Sequence, residues 1–222
     1  MNQINLKFSP TLKIWVMSSM ALLSMNISYS QDFGADLVSS YVWRGTQFGS
    51  GAHIQPHMTL GFENFEAGLW GSFPITAEGG GNELDAYLSY DFGPLALTVT
   101  NYTFPGEGGV YSDGQGFFQG DYTEISGSTS ILGIDLLAGY FTDLEALYVE
   151  LGFGAGPVDI AIGYGEDQGD AWYANGGSGI VNMSFSGSKK ISISDSFDLP
   201  VFGSFILNPE ADTAFLIFGF SF

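Results

Sequence analysis

The chain has 222 residues, of which 32 are Gly, 45% are hydrophobic, 16% are aromatic, 13% are charged and none is Cys, with a formal charge of −19. The lack of Cys excludes a disulfide scaffold, and the shortage of basic groups excludes the positive face that nucleic-acid phosphates require. Abundant Gly and aromatics with little charge fit an all-β chain whose strands carry unlike faces.

Residues 1–30 hold Lys7 and Lys13, an apolar run from Ile14 to Met25, and the small residues Ser28 and Ser30. This order of basic, apolar and small segments is that of a secretory signal peptide released before Gln31. The leader holds two of the basic groups and no acid, so the remainder, residues 31–222, has 3 basic against 24 acidic groups and a formal charge of −21. Nothing downstream supplies the ~20 consecutive apolar residues of a membrane helix, so any membrane entry must be made by strands.

A first strand is expected over residues 35–48. On it, alternation sets Asp36, Val38, Ser40 and Arg44 against Leu37, Tyr41 and Trp43. From Ala52 onward Ile54, Pro56, Met58, Leu60 and Phe62 oppose His53, Gln55, His57 and Thr59, and after a turn near Asn64 the two-residue period resumes with Phe65, Ala67 and Leu69 opposing Glu66, Gly68 and Trp70. The pair reads as a hairpin. Similar stretches follow from Leu84, from Leu95, and over 122–131, 135–142, 146–154, 158–166, 180–194, 199–207 and 213–222. The total is about twelve strands, with ten as the other possibility, each close to the ~10 residues of a tilted membrane strand.

Short joins near Asn64, Gly93, Leu132 and Gly156 alternate with longer ones over 74–83, 105–121 and 167–179. Short turns on one rim and long loops on the other are the pattern of an outer-membrane up-and-down antiparallel barrel, with the turns and both termini periplasmic. A soluble sandwich also alternates, but three basic groups cannot supply the mixed-sign surface such a fold exposes. On the barrel reading Phe218, Phe220 and Phe222 point into lipid while Gly219 and Ser221 face the lumen.

The stretch Ser39–Gly45, SSYVWRG, with Ser50, the GLWGS stretch at 68–72, the leader and the aromatic end, resembles the TorF porin family. The resemblance implies an outer-membrane barrel with a porin role, brings no catalytic residue, and makes Phe218, Phe220 and Phe222 a C-terminal signal read by the barrel assembly machinery. Outer-membrane lipids and lipopolysaccharide are the implied surroundings.

The candidate pore-lining set is Asp36, Arg44, His53, His57, Glu66, Asp85, Glu124, Glu150 and Asp159. Unpaired carboxylates in a dry lumen are costly, which favours water inside and cations over anions as the small solutes that pass. Arg44 is either one half of a structural ion pair, with Glu210 or Asp212 as candidate partners, or a charge at a constriction. His53 and His57 lie ~13 Å apart along one strand, too far for one ion, so neither metal nor cofactor is expected. The loop acids Glu107, Asp113, Asp121, Glu166, Asp167 and Asp170 lack EF-hand spacing and read as solvated loops, and the aromatics Phe117, Phe118, Trp172 and Tyr173 within those loops are expected to fold over the mouth. No catalytic set is evident. The rival readings are a non-conducting structural or surface-interaction barrel and a barrel hydrolase using His53. Lys189 falls on a lipid-facing row, which suggests a bulge or early turn near Gly187.

Overall fold

The structure is a computed structural model that describes residues 30–76, 80–106, 122–167, 173 and 177–222. The remainder of the leader, the loop residues Glu107, Asp113, Phe117, Phe118, Asp121, Asp170 and Trp172, and any role assigned to them lie outside the described residues.

Among the described residues there are fourteen strands: β1 (Ser30–Val38), β2 (Tyr41–Trp43), β3 (Thr46–Gly49), β4 (His53–Phe62), β5 (Phe65–Pro74), β6 (Glu83–Asp91), β7 (Ala96–Thr103), β8 (Tyr122–Ile131), β9 (Ile134–Phe141), β10 (Ala146–Ala155), β11 (Val158–Glu166), β12 (Ser178–Ser194), β13 (Phe197–Asn208) and β14 (Thr213–Ser221). Twelve of them, β1 and β4 to β14, close an antiparallel barrel in chain order, and β2 and β3 form a separate two-stranded ribbon. Closure brings β14 beside β1, pairing Leu37 with Phe220, while Ala35 and Phe222 exchange two backbone hydrogen bonds. The ladder thus runs round the whole wall, although the closing seam between β1 and β14 is short, from Asp36 with Ser221 to Val38 with Gly219.

The turns on one rim are tight because their backbones match the twist of the strands. Between Ile131 and Ile134, Leu132 (φ 55) and Gly133 (φ 82) both take positive φ, the geometry of the two-residue turn that hairpins favour. Ser30 and Phe222 lie on this same rim, since Ser30 pairs with Gly61 just before the turn at Asn64 and β14 runs toward it from Thr213.

The period-two rows sort into an apolar outside and a polar inside. Ile54, Leu88, Val99, Ile125, Leu151 and Phe218 are exposed on the outer face, whereas Thr59, Glu66, Asp85, Ser89, Thr98 and Ser126 are buried on the inner one. That is the inverse of a soluble globule and is compatible with an outer-membrane barrel. Among the described residues no helix is long and apolar enough to cross a membrane. Phe218 and Phe222 are exposed on the outer row, as alternation predicts.

Two features differ from the sequence expectation. The first strand does not run over 35–48. It ends at Val38, and the chain bends at Ser39–Ser40 and enters the barrel as the β2–β3 ribbon. Period-two alternation is a local property that an inward ribbon shares with a wall strand, so it cannot separate them. Likewise, no bulge occurs near Gly187: β12 continues to Ser194, with irregularities only opposite Gly163/Tyr164 and between Ser192 and Ser194. The last pair between β11 and β12 is Asp159 with Ser186, so the β12 segment from Gly187 onward pairs only with β13 at the turn-side rim. Lys189 therefore stays on the outer row, at that rim.

Candidate functional site

The inward ribbon is a wedge with two apolar sides. Val42 meets Val38, Phe202, Ile206 and Ile217 on the inner faces of β1, β13 and β14. Tyr41 and Trp43 meet Tyr102, Phe141, Ala146, Tyr148, Tyr173 and Val181 on the facing wall. All three ribbon residues are buried, a gain of roughly 1.5–3 kcal/mol for each large side chain as an upper bound. Tyr41 and Trp43 thus point into the interior, not to the outer face that alternation along a continuous strand would assign.

Ring geometry locks this contact. Trp43 lies 5.9 Å from Tyr173 and 5.5 Å from Tyr102 between centroids, and Tyr41 lies 5.5 Å from Trp70. Tyr41 also donates its hydroxyl to Glu83 on β6 at 2.7 Å. The rings and their partners belong to the loop-side ends of β6, β7, β9, β10 and β12, so the wedge fills the loop-side half of the interior.

The ribbon turns at Arg44 (φ 48) and Gly45 (φ 80). A Cβ on Gly45 would stand 1.8 Å from the Val181 carbonyl oxygen, so both the positive φ and the approach to β12 require glycine. Asn208 secures the turn by donating to the Gly45 carbonyl at 3.1 Å.

Arg44 then reaches across the interior to Glu124 on β8. Its Nη2 donates to one carboxylate oxygen at 3.0 Å, and its Nη1 donates to the other oxygen and to the Tyr173 hydroxyl at 2.5 Å. The guanidinium lies 4.2 Å from the Trp43 ring centroid and 4.3 Å from that of Tyr148, an aromatic sandwich around a forked ion pair. Room for the pair comes from bare backbone: a Cβ on Gly139 would sit 2.6 Å from Glu124 Oε2, and one on Gly163 would sit 2.1 Å from the Tyr148 hydroxyl. The ion-pair role anticipated for Arg44 is present, with Glu124 as partner and not Glu210 or Asp212. The partner was not readable because Arg44 is at a turn inside the barrel and not on a wall strand beside β14.

The remaining candidate residues are distributed along the inner face. Glu150 on β10 accepts from Asn182 at 3.0 Å and from Tyr148. Glu66 accepts from Tyr87 at 3.1 Å, and Tyr87 shares a hydrogen bond with Thr59 at 2.8 Å. Asp85 is buried beside Glu83, and its Oδ1 has no hydrogen-bond partner. Asp36 pairs across strands with Ser221, and Asp159 with Ser186 and Gly154. His57 lies 3.9 Å from Asp32, on the turn side. His53 is fully buried, with Nδ1 2.9 Å from the Gly51 carbonyl and Nε2 2.7 Å from the Gly80 carbonyl, so neither ring nitrogen faces a hydroxyl.

The structure brings Arg44 and Glu124 together and leaves the other acids spread over separate strands. Among the described residues, no group of three or more His, Cys, Asp or Glu is set to hold a metal. Tyr173, expected in a mouth loop, lies buried in the wedge contact, with its backbone N–H donating to Asp167 at 2.5 Å. Glu83 and the apolar inner wall at Phe202, Ile206 and Ile217 were missed. The signal for that wall was present: Phe205 to Leu207 and Phe215 to Phe218 are apolar on both faces, a pattern that calls for cover on both sides.

The class defined by this fold is a closed twelve-strand barrel, apolar outside and acid-bearing inside, with an internal wedge. No protein-family model matches the chain, and no curated protein matches it.

Proposed function

We propose that this chain is an outer-membrane porin through which small solutes pass passively, with cations favoured over anions. The observation that carries this reading is the inversion of faces, with an exposed apolar exterior around an interior bearing Glu66, Asp85, Glu150 and Asp159 against a single internal Arg that is already paired with Glu124. A barrel of this size leaves only a narrow path, and the wedge makes it narrower on the loop side, so conductance is low and limited to ions and small solutes. Short turns and both chain ends then face the periplasm, lipopolysaccharide surrounds the loop rim, and Phe218, Phe220 and Phe222 serve as the assembly signal.

The test is reconstitution of the folded chain in planar bilayers under a salt gradient. Small steps with a reversal potential on the cation side support the reading. Anion preference would remove it.

A second reading, a non-conducting structural or surface-interaction barrel, is favoured by the packing of the wedge, in which Phe141, Ala146, Tyr148 and Val181 have no exposed surface. Folded protein that never opens a step, even after the wedge is released, would select it.

A further inference from the structure

The outer wall carries a groove of about 780 Å³ that crosses β1, β14, β13 and β12. It is shallow and open along its length, so it suits a chain lying along the wall and not an enclosed ligand. The floor is bare because Gly187 and Gly203 are cross-strand partners on the outward rows, and Phe218, opposite Gly203, forms one side. Leu37 and Phe220 extend the apolar lining toward β1, and Lys189, opposite Val201, stands at the turn-side end. Lys189 is the one charged residue among the described residues that line the groove.

A lone ammonium on the outward row of a barrel is misplaced in hydrocarbon, at a cost of roughly 2–4 kcal/mol near the bilayer midplane and little near the interface. Lys189 lies at the interface end, level with the tight-turn rim: Gly187, two residues before it, is next to the Pro157 turn carbonyl, and β11 ends its pairing with β12 at Ser186. An apolar trough ending in one cation at headgroup depth has the polarity of a phospholipid, acyl chain along the trough and phosphate at the ammonium.

We propose that this groove binds an anionic phospholipid of the leaflet on the turn side, with Gly187 and Gly203 making space for an acyl chain and Lys189 holding the phosphate. The proposal rests on the membrane-spanning part of the proposed function and not on conduction, so a barrel that never conducts leaves it standing.

The experiment is native mass spectrometry of the full chain reconstituted in nanodiscs of phosphatidylglycerol mixed with phosphatidylcholine, with heat-modifiable gel mobility as the control for folding. Wild type should retain phosphatidylglycerol preferentially, and Lys189→Gln should lower that retention about five-fold, toward the phosphatidylcholine level, as expected for one surface lysine. Lys190→Gln, on the neighbouring inward row opposite Pro200, should change nothing. Gly203→Leu should lower retention of both lipids, because a Cβ there meets nothing closer than 3.4 Å and fills the trough without backbone conflict. If Gly203→Leu fails to fold, Gly187→Val serves instead, its nearest contact being the Pro157 carbonyl at 3.5 Å. Equal retention of the two lipids by wild type, undiminished retention in Lys189→Gln, or an equal loss in Lys190→Gln would overturn the proposal.

Discussion

Arg44 and Glu124 are 80 positions apart in the chain, yet the guanidinium forks onto the carboxylate with only 5% and 1% of the two side chains exposed. The pair ties the tip of an inward ribbon to the opposite wall. Removing one partner of such a pair leaves an uncompensated buried charge, which costs roughly 3–5 kcal/mol. In Glu124→Gln the wedge should therefore loosen, since the barrel wall has its own ladder of hydrogen bonds and the ribbon does not share it.

Trypsin reads this loosening directly. Residues 31–222 contain three tryptic positions, Arg44, Lys189 and Lys190. In the folded wild type, cleavage should be confined to the exposed Lys189 and Lys190, and Glu124→Gln should add a cut after Arg44. Continued protection of Arg44 in that variant would show that the aromatic contacts alone hold the wedge.

Conductance should respond in the same direction. Deleting residues 41–49, or the change Arg44→Ala, should raise single-channel conductance several-fold over wild type in planar bilayers, because the ribbon occupies the loop-side half of the interior. A conductance unchanged by the deletion would place the constriction elsewhere.

Gly45→Ala should destabilise the ribbon by about 1–3 kcal/mol, the usual cost of a strained backbone, and by more if Val181 cannot retreat from a Cβ 1.8 Å from its carbonyl oxygen. Tryptophan fluorescence during denaturant unfolding measures it, since Trp43 is adjacent to the turn and buried. Gly93→Ala is the comparison: it also has positive φ, but a Cβ there has no neighbour within 4 Å.

The lipid-facing assignment is tested by Val99→Arg, on the exposed outer row in the middle of β7. Facing hydrocarbon, this change should cost roughly 2–4 kcal/mol in folding from urea into lipid vesicles. On a water-exposed surface the same change would stay within about 0.5 kcal/mol. The two outcomes are far enough apart to decide between a membrane barrel and a soluble one.

Cation preference should fall when inner-face acids are neutralised. Glu66→Gln and Asp159→Asn together should shift the reversal potential toward zero. Glu124→Gln should shift it less, because that carboxylate is already balanced by Arg44.

The wall of this barrel was legible because its information is local. In β4, for example, Ile54 and Leu60 alternate with His53 and Thr59, and a strand must send alternate side chains to opposite faces whatever surrounds it. Turn residues such as Gly133 likewise state a backbone requirement within two positions of themselves. Alternation, turn chemistry and the spacing of short and long joins were enough for an all-β chain of about twelve wall strands with acids on one face.

The fate of Tyr41 to Gly49 was decided by tertiary structure alone. Those residues alternate and pair as strands do, but whether they extend the wall or fill the interior depends on what the far wall presents. There, Tyr102, Phe141, Tyr148 and Glu124 come from strands remote in sequence, and only barrel closure gathers them around Arg44 and Trp43. The period of a strand is set by bonds between neighbours, whereas the partner of a buried charge is set by which distant residues share its cavity.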